Sequence, residues 1–342
     1  MTTMTRPGLP QPTGDVWIHV EDDGSVPTVR RRATELATIA GFDENRVAQV
    51  GIAATELASN IVKHAGEGSV VLRRIQAETT TGVELITIDS GPGRRNIHAM
   101  VADGTTTSGT LGIGLGAVKR MAGALHLHSV PGHGTVVSAA LWPSLEQPAA
   151  LPVSGLVRPL RGQEVSGDAI AHRAFEGGHL IMAADGLGHG PLAAVASTRA
   201  VEVFQESAGV APGALITRMH GALSGTRGAA VAVVRLDEDT RTVVHAGVGN
   251  IAGRLLGEHR SRGMASQPGI VGHNLPRVRE TSFDASDTRA VVLHSDGLTE
   301  KWELSSLPGV IRQGPAVLAA ALMREAGVRR DDASVVVLRV PA

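Results

Sequence analysis

Apolar positions early in the chain step by three and four residues. Val47, Val50, Ala54, Leu57 and Ile61 follow that spacing, which places them on one side of a helix. Asp43 stands where a cap is needed, so a helix is predicted from there to about His64. Residues 27–40 (PTVRRRATELATIA) read as a shorter helix closed by Gly41. Strands are expected near 69–74 and 83–88, then a glycine-rich stretch around 104–116 opening a short helix to about Ala122. ALHLHSV, the turn PGHG and TVVSAALW read as a hairpin. Ser144 to Gly155 (SLEQPAALPVSG) carries two prolines between strand-like segments and is the linker candidate. Beyond it strands dominate, at 155–160, 179–184, 229–236, 242–246, 251–256, 290–295 and 334–340, with helices at 191–205, 212–223 and 314–326. The expected division is therefore a flexible 1–14, a first domain at 15–143, a linker at 144–154 and a second domain at 155–342.

Composition narrows the chemistry. The 342 residues carry 32 Lys plus Arg against 33 Asp plus Glu, a net charge of −1, without the basic excess of a nucleic-acid or anionic-membrane binder. Cysteine is absent, which excludes disulfides, thiolate chemistry, zinc fingers and iron–sulfur clusters. Tyrosine is absent and aromatics total 2%, too few for a base-stacking platform. Lysine occurs only at Lys63, Lys119 and Lys301, never after a glycine, so no Gly-Lys-Ser/Thr phosphate loop exists. No apolar run reaches the ~18–20 residues of a membrane span, and the start lacks a signal-peptide pattern. A cytoplasmic protein is expected, with neither nucleic acid nor membrane as partner.

Chemistry concentrates at three places in the first half. On the long helix, Glu56, Asn60 and His64 fall within about 80° of one another, at the edge of the apolar face. Alone, that reads as a solvated flank. The strand at 83–88 then runs into Asp89-Ser90-Gly91-Pro92-Gly93, where a carboxylate can accept a bond from an exocyclic amine while glycines let the backbone pass a flat base. Third, Thr107-Ser108-Gly109-Thr110-Leu111-Gly112-Ile113-Gly114-Leu115-Gly116 opens a helix, a pattern that cradles phosphate. A dinucleotide-binding reading of these glycines is poor, because no apolar strand precedes them.

The order ELASN, DSGPG, TSGTLGIGLG and PGHGT resembles the GHKL (Bergerat-fold) ATPase and kinase superfamily, nearest its RsbT-like serine/threonine kinase branch, over about residues 15–142. The resemblance implies ATP, with Asn60 holding Mg²⁺ against the phosphates and Glu56 as the polarising base. It implies Asp89 as the reader of the adenine amine, Gly91 and Gly93 beside the base, and Thr135 in support. Gly112, Gly114 and Gly116 would belong to a lid over the phosphates. Lys63 and His64 would either add phosphate contacts or serve the structure.

The second half places carboxylates at strand ends and turns. Asp168 closes Val165-Ser166-Gly167-Asp168, Asp185 follows an apolar strand and opens DGLGHG, and Asp296-Gly297 follows another. Asp331-Asp332 precede the last strand. One strand ending in Asp-Gly is ordinarily a turn, but several in one domain point to a shared oxygen-rich site for Mg²⁺ or Mn²⁺. DGLGHG, TRGAAV, GVGNI, SDGL and DDASVVVL resemble the PPM-type metal-dependent serine/threonine phosphatases, nearest the SpoIIE/RsbX-type branch, over about 153–342. That resemblance implies two Mn²⁺ or Mg²⁺ ions. Asp185 would bridge them, the Gly186 carbonyl would be a further ligand, and Asp296 and Asp331 would complete the second ion. Asp168 would act through a metal-bound water, with Asp332 as the alternative to Asp331. Asn250 would shape the pocket or a turn. Two departures stand out: Gly167-Asp168 is followed by Ala169-Ile170-Ala171 rather than a second aspartate, and Leu187 occupies the place of the leaving-group histidine.

The fold class expected is α+β in two domains, a Bergerat-type α/β sandwich followed by a PPM-type α-β-β-α sandwich. The resemblances together imply a bifunctional switch enzyme, a serine/threonine kinase module joined to a phosphoserine/phosphothreonine phosphatase. Its partners would be STAS-domain antagonist proteins in a stress-response partner-switching pathway, with a sigma-like regulator as a further partner. In the alternative, the first half is an ATP-binding, anti-sigma-like sequestering or regulatory module and only the phosphatase is catalytic.

Overall fold

The computed structural model describes residues 15–77, 80–95, 97, 111–144, 148, 150–258, 260–328 and 330–341. The expected flexible segment 1–14 and the motif residues 107–110 lie outside the described residues. The described residues form two compact units, one drawn from 15–151 and 307–324, the other from 152–306 and 325–341. The segment 307–324 thus groups with the first unit although it lies far along the second half of the chain.

In the first unit, strands β1 (Val16–Val20), β2 (Gly68–Ala77), β3 (Thr80–Asp89), β4 (Ala124–Val130) and β5 (Gly134–Leu141) make one sheet in the order β1-β2-β3-β5-β4. Every neighbouring pair is antiparallel. Helices α1 (Val26–Ile39), α2 (Glu44–Ala65) and α3 (Leu111–Met121) accompany it. Asp43 caps α2 by accepting from the Arg46 amide at 2.7 Å. Gly66, at φ +82°, ends that helix in a conformation that favours glycine. Val50, Ala54, Leu57 and Ile61 are buried in one core with Val70, Leu72, Val83 and Leu85 of the sheet. The Arg46 guanidinium donates to the Trp142 carbonyl at 2.6 and 3.0 Å, tying α2 to the end of β5. These contacts fix the facing edges of α2 and β3, on which the first candidate site is built.

The second unit begins with β6 (Val153–Arg158), β7 (Asp168–Phe175), β8 (Gly178–Gly186), α4 (Pro191–Glu206) and α5 (Pro212–Ala222). It continues with β9 (Ala229–Asp237), β10 (Thr242–Val248), β11 (Ala252–Leu256), β12 (Ser261–Met264), β13 (Thr281–Asp284), β14 (Ala290–His294) and β15 (Ala333–Arg339). Two five-stranded sheets result, ordered β13-β10-β9-β8-β7 and β12-β11-β14-β15-β6. Ile170, Ile181, Ala232 and Val234 of the first meet Leu255, Val291, Leu293 and Val336 of the second in one core. On the other face of the first sheet, Met182, Val231 and Val233 pack with Ala196, Phe204, Leu215 and Ile216 of the two helices. A last helix, α6 (Pro315–Ala326), stands between β14 and β15 in the chain, and its residues 315–324 group with the first unit. Three layers of the expected sandwich, helix–sheet–sheet, therefore lie within this unit.

β1, β7, β12 and β13 were not among the expected strands. β7 hides because its buried positions include His172 and Arg173. Distant groups satisfy both. His172 Nε2 meets His179 Nδ1 at 3.0 Å, and Arg173 donates to the carbonyls of Phe204 at 2.7 Å and Ser207 at 2.6 Å.

Candidate functional sites

The first site opens between α2 and β3 as a cavity of about 230 Å³. Asn60, Lys63 and His64 line it from α2, and Asp89, Gly93 and Thr135 from the sheet side, so six of the expected residues converge. Leu57, Ile61, Leu115 and Val137 supply an apolar lining. Asp89 Oδ1 accepts from the amides of Gly91 at 2.9 Å and Thr135 at 3.1 Å. Those bonds orient the carboxylate. Burial raises the Asp89 pKa, against those two bonds and the opposing pull of Arg324. Gly93 has φ +62° and Gly134 φ +99°. A Cβ at Gly93 would strike the Val130 carbonyl, and one at Gly134 the Asp89 carbonyl, so both turns require glycine.

Asn60 Nδ2 and His64 Nε2 are buried with no hydrogen-bond partner among the described residues. Burial, then Arg94 and Lys63, lowers the His64 pKa. Orphaned polar atoms beside an oriented carboxylate fit a polar ligand with a flat base at one end and anionic groups at the other. Glu56 is not among the lining residues, and its carboxylate meets the position a Cβ would take on Gly114. Gly91 closes against α2, where a Cβ would lie 2.7 Å from Ala65 Cβ. Gly112, Gly114 and Gly116 all lie within α3, and Gly114 and Gly116 are not among the described lining residues. A Cβ on Gly116 would meet only Arg120 Nη1, at 3.7 Å. Arg94 and Arg324 were missed by the sequence reading. Arg94 follows DSGPG directly, a readable signal, whereas Arg324 is more than two hundred residues away in the chain and gave none.

The second site lies in the second unit. β7 and β8 pair so that Asp168 stands opposite Asp185, and the Gly186 amide donates to the Gly167 carbonyl at 3.0 Å. Asn250 Nδ2 donates to Asp296 Oδ2 at 2.7 Å and reaches Asp185 Oδ2 at 3.5 Å. Burial, with repulsion from Asp296 and Asp331, pushes the Asp185 pKa up to about 7. Asp168 is buried, and burial plus the Asp185 charge raises its pKa well above the carboxylate range. Its Oδ2 accepts from Ser295 Oγ at 2.5 Å, and Ser295 Oγ accepts from the Ser334 amide at 2.9 Å. Ser295 was missed although it adjoins Asp296 in the chain.

The adjacent aspartates differ. Asp332 is buried, and its oxygens accept from the Leu160 amide at 2.6 Å and the Gly167 amide at 2.7 Å. Asp331 is exposed, and its pKa is raised by partial desolvation and by Asp296 and Asp332, against the Asp332 amide bond and His189. Leu187 is exposed at 36%. Among the described residues no three carboxylate or imidazole groups form a ready-made coordination shell. The donor set is nevertheless all oxygen and strongly self-repelling, and Asn250 sets its amide between two of the carboxylates. Such a set fits hard divalent cations.

Residues 20–141 match the histidine kinase-like ATPase domain family, and residues 176–341 match the family described as stage II sporulation protein E, SpoIIE. Over 125 residues the chain is 33% identical to the serine/threonine-protein kinase RsbT of Bacillus subtilis (strain 168), covering 36% of this chain and 94% of that protein. The chain belongs to the RsbT family. Its second half adds a SpoIIE-type PPM phosphatase domain, and this RsbT-family chain is an enzyme. A solved structure described as "The bacterial stressosome: a modular system that has been adapted to control secondary messenger signaling" is 30% identical at a TM-score of 0.52, covering 55% of this chain and 98% of that one. RsbX in complex with magnesium shares the fold at a TM-score of 0.50 and 20% identity, covering 55% of this chain and 94% of that one. Among the described residues, no helix of this RsbT-family chain is long and apolar enough to cross a membrane.

Proposed function

We propose that this enzyme writes and erases one phosphorylation mark. The first unit would phosphorylate a serine or threonine of a STAS-type partner protein with ATP. The second would remove phosphate from the same class of partner, in a cytoplasmic stress-response partner-switching relay. The observation that carries the reading is the presence, on one polypeptide, of an orphaned Asn60 beside an oriented Asp89 and of a self-repelling Asp185–Asp296–Asp331 set.

In the first unit, Asp89 would accept the adenine amine while the Gly91 and Thr135 amides hold the carboxylate in place. Asn60 would hold Mg²⁺ and the phosphates, with Lys63, His64 and Arg94 adding donors. Glu56 would take the proton of the attacking hydroxyl. Gly112, Gly114 and Gly116 would keep the α3 end close to the phosphates.

In the second unit, Asp185, the Gly186 carbonyl, Asp296 and Asp331 would hold two Mg²⁺ or Mn²⁺ ions. Bound there, the ions would activate water and neutralise the phosphoryl group. Asp168, fixed by Ser295, would orient the attacking water, and Asp332 would hold the backbone that carries Asp168. Asn250 would swing its amide away from the carboxylates.

The test supplies the protein with ATP, Mg²⁺, Mn²⁺ and a STAS-domain partner. The expected result is partner-dependent release of inorganic phosphate with little phosphopartner accumulating, and loss of that release in Asn60→Ala. Phosphate release that needs no partner, or that survives Asn60→Ala, would overturn the reading.

A further inference from the structure

Asp296, Asp331 and Asp332 repel the Asp185 charge, and His189 opposes them beside Asp331. A substrate phosphate carries further negative charge into this set. Two ions answer the oxygens that face the carboxylates, but the outward oxygens need donors of their own.

Arg227 is placed to supply them. The turn from Leu223 to Gly228 carries it between α5 and β9. The Thr226 hydroxyl braces this turn, donating to the Leu223 carbonyl at 2.7 Å and accepting from the Gly228 amide at 3.0 Å. The His273 ring reaches the Thr226 carbonyl at 3.0 Å. Gly228, at φ +78°, allows that contact, since a Cβ there would lie 2.6 Å from His273 Cδ2. The turn is then stitched to the loop after Asp185, because the Leu187 amide donates to the Gly228 carbonyl at 3.0 Å. As a result the guanidinium lies over Gly188, where a Cβ would sit 2.8 Å from Arg227 Nη1. Gly188 has φ +90° and is three residues past Asp185.

What the guanidinium does not do is equally informative. Arg173 is consumed by carbonyls of α4 and its end, and Arg254 by the Trp302 carbonyl and ring. Arg227 is exposed, and no hydrogen bond or ion pair engages it among the described residues. A braced turn that presents an uncommitted cation over the loop following Asp185 is preorganised for an anion from outside.

We propose that Arg227 is the phosphate clamp of the phosphatase half, donating to the phosphoryl oxygens that face away from Asp185, Asp296 and Asp331. The inference rests on the phosphatase reading above. It names a substrate-binding residue that acts on affinity rather than on water activation.

The test uses full-length protein with Mn²⁺, p-nitrophenyl phosphate as substrate and inorganic phosphate as a competing ligand. Arg227→Ala is expected to raise KM and the inhibition constant of phosphate together, by roughly 10–100-fold, the loss of one or two charged hydrogen bonds. The turnover number should change far less, and Arg227→Lys should recover part of the affinity. Calorimetric titration should show Mn²⁺ binding unchanged and phosphate binding weakened, which a merely structural role would not produce. KM and phosphate affinity within twofold of wild type in Arg227→Ala would overturn the assignment. If wild-type protein hydrolyses no p-nitrophenyl phosphate with Mn²⁺, the phosphatase reading itself fails and the clamp falls with it.

Discussion

Asp331 and Asp332 are neighbours with opposite expected roles, and replacing each in turn separates them. Asp332 accepts from the Leu160 and Gly167 amides at 2.6 and 2.7 Å, and is itself buried. Asp332→Ala strips both acceptors. A hydrogen bond to a charged group contributes about 1.5–3 kcal/mol, so the pair together contributes about 3–6 kcal/mol. The lower end is expected, because the Leu160 bond is only partly buried. At about 1.4 kcal/mol per tenfold, that corresponds to exchange faster by roughly a hundredfold or more. Hydrogen exchange followed by mass spectrometry on peptides covering 159–170 reads it directly. Asp331→Ala should leave those amides protected while abolishing phosphate release from a phosphoprotein with Mn²⁺. The reasoning is refuted if Asp332→Ala exchanges like wild type, or if Asp331→Ala loosens the same peptides.

Acid should weaken the second unit through two buried histidines. Burial lowers His172 from 6.5 to about 3 and His245 from 6.5 to about 4. Both folded values are depressed, so the unfolded chain takes up protons first, and the stability they hold is complete above the unfolded value. It is lost as pH falls below 6.5, by about 2 kcal/mol for each group at pH 5. Urea midpoints at pH 7 and pH 5 check this, and replacing His172 and His245 by Gln should flatten the slope, whereas an unchanged slope would contradict it. Asp89→Asn should weaken ATP binding by roughly tenfold or more, because an amide sets a donor against the adenine amine. Calorimetry measures that loss, and Mn²⁺ binding at the second site should stay as in wild type.

Local signals were legible where the residue and its partner are close in sequence. Asp43 caps the helix it was expected to cap, and the hairpin around PGHG pairs Val130 with Gly134 as the turn demands. Candidates on α2 and β3 converge because one helical face and one strand end suffice to bring them together. β7 was missed because the fit of His172 and Arg173 inside a strand depends on His179, Phe204 and Ser207, which pattern cannot connect to them. The same holds for Ser295 against Asp168, 127 residues apart. Asp331 and Asp332 could not be ranked from sequence, since only the fold shows which oxygens the amides of Leu160 and Gly167 occupy. The grouping of 307–324 with the first unit was likewise invisible, because an apolar helix in the second half reads the same whichever sheet it serves.

The central claim is that one polypeptide both adds and removes phosphate on the same partner. Asp185→Asn isolates the first reaction by removing a charge from the second site while leaving the pocket around Asn60 and Asp89 untouched. Intact mass spectrometry of a STAS-domain partner, incubated with this variant, ATP and Mg²⁺, is the direct measurement. The account predicts that the partner gains the mass of one phosphoryl group and keeps it, whereas wild-type protein leaves little phosphopartner. A variant that binds ATP and the partner yet leaves the partner's mass unchanged would contradict the account, and would make the first unit a sequestering module rather than a kinase.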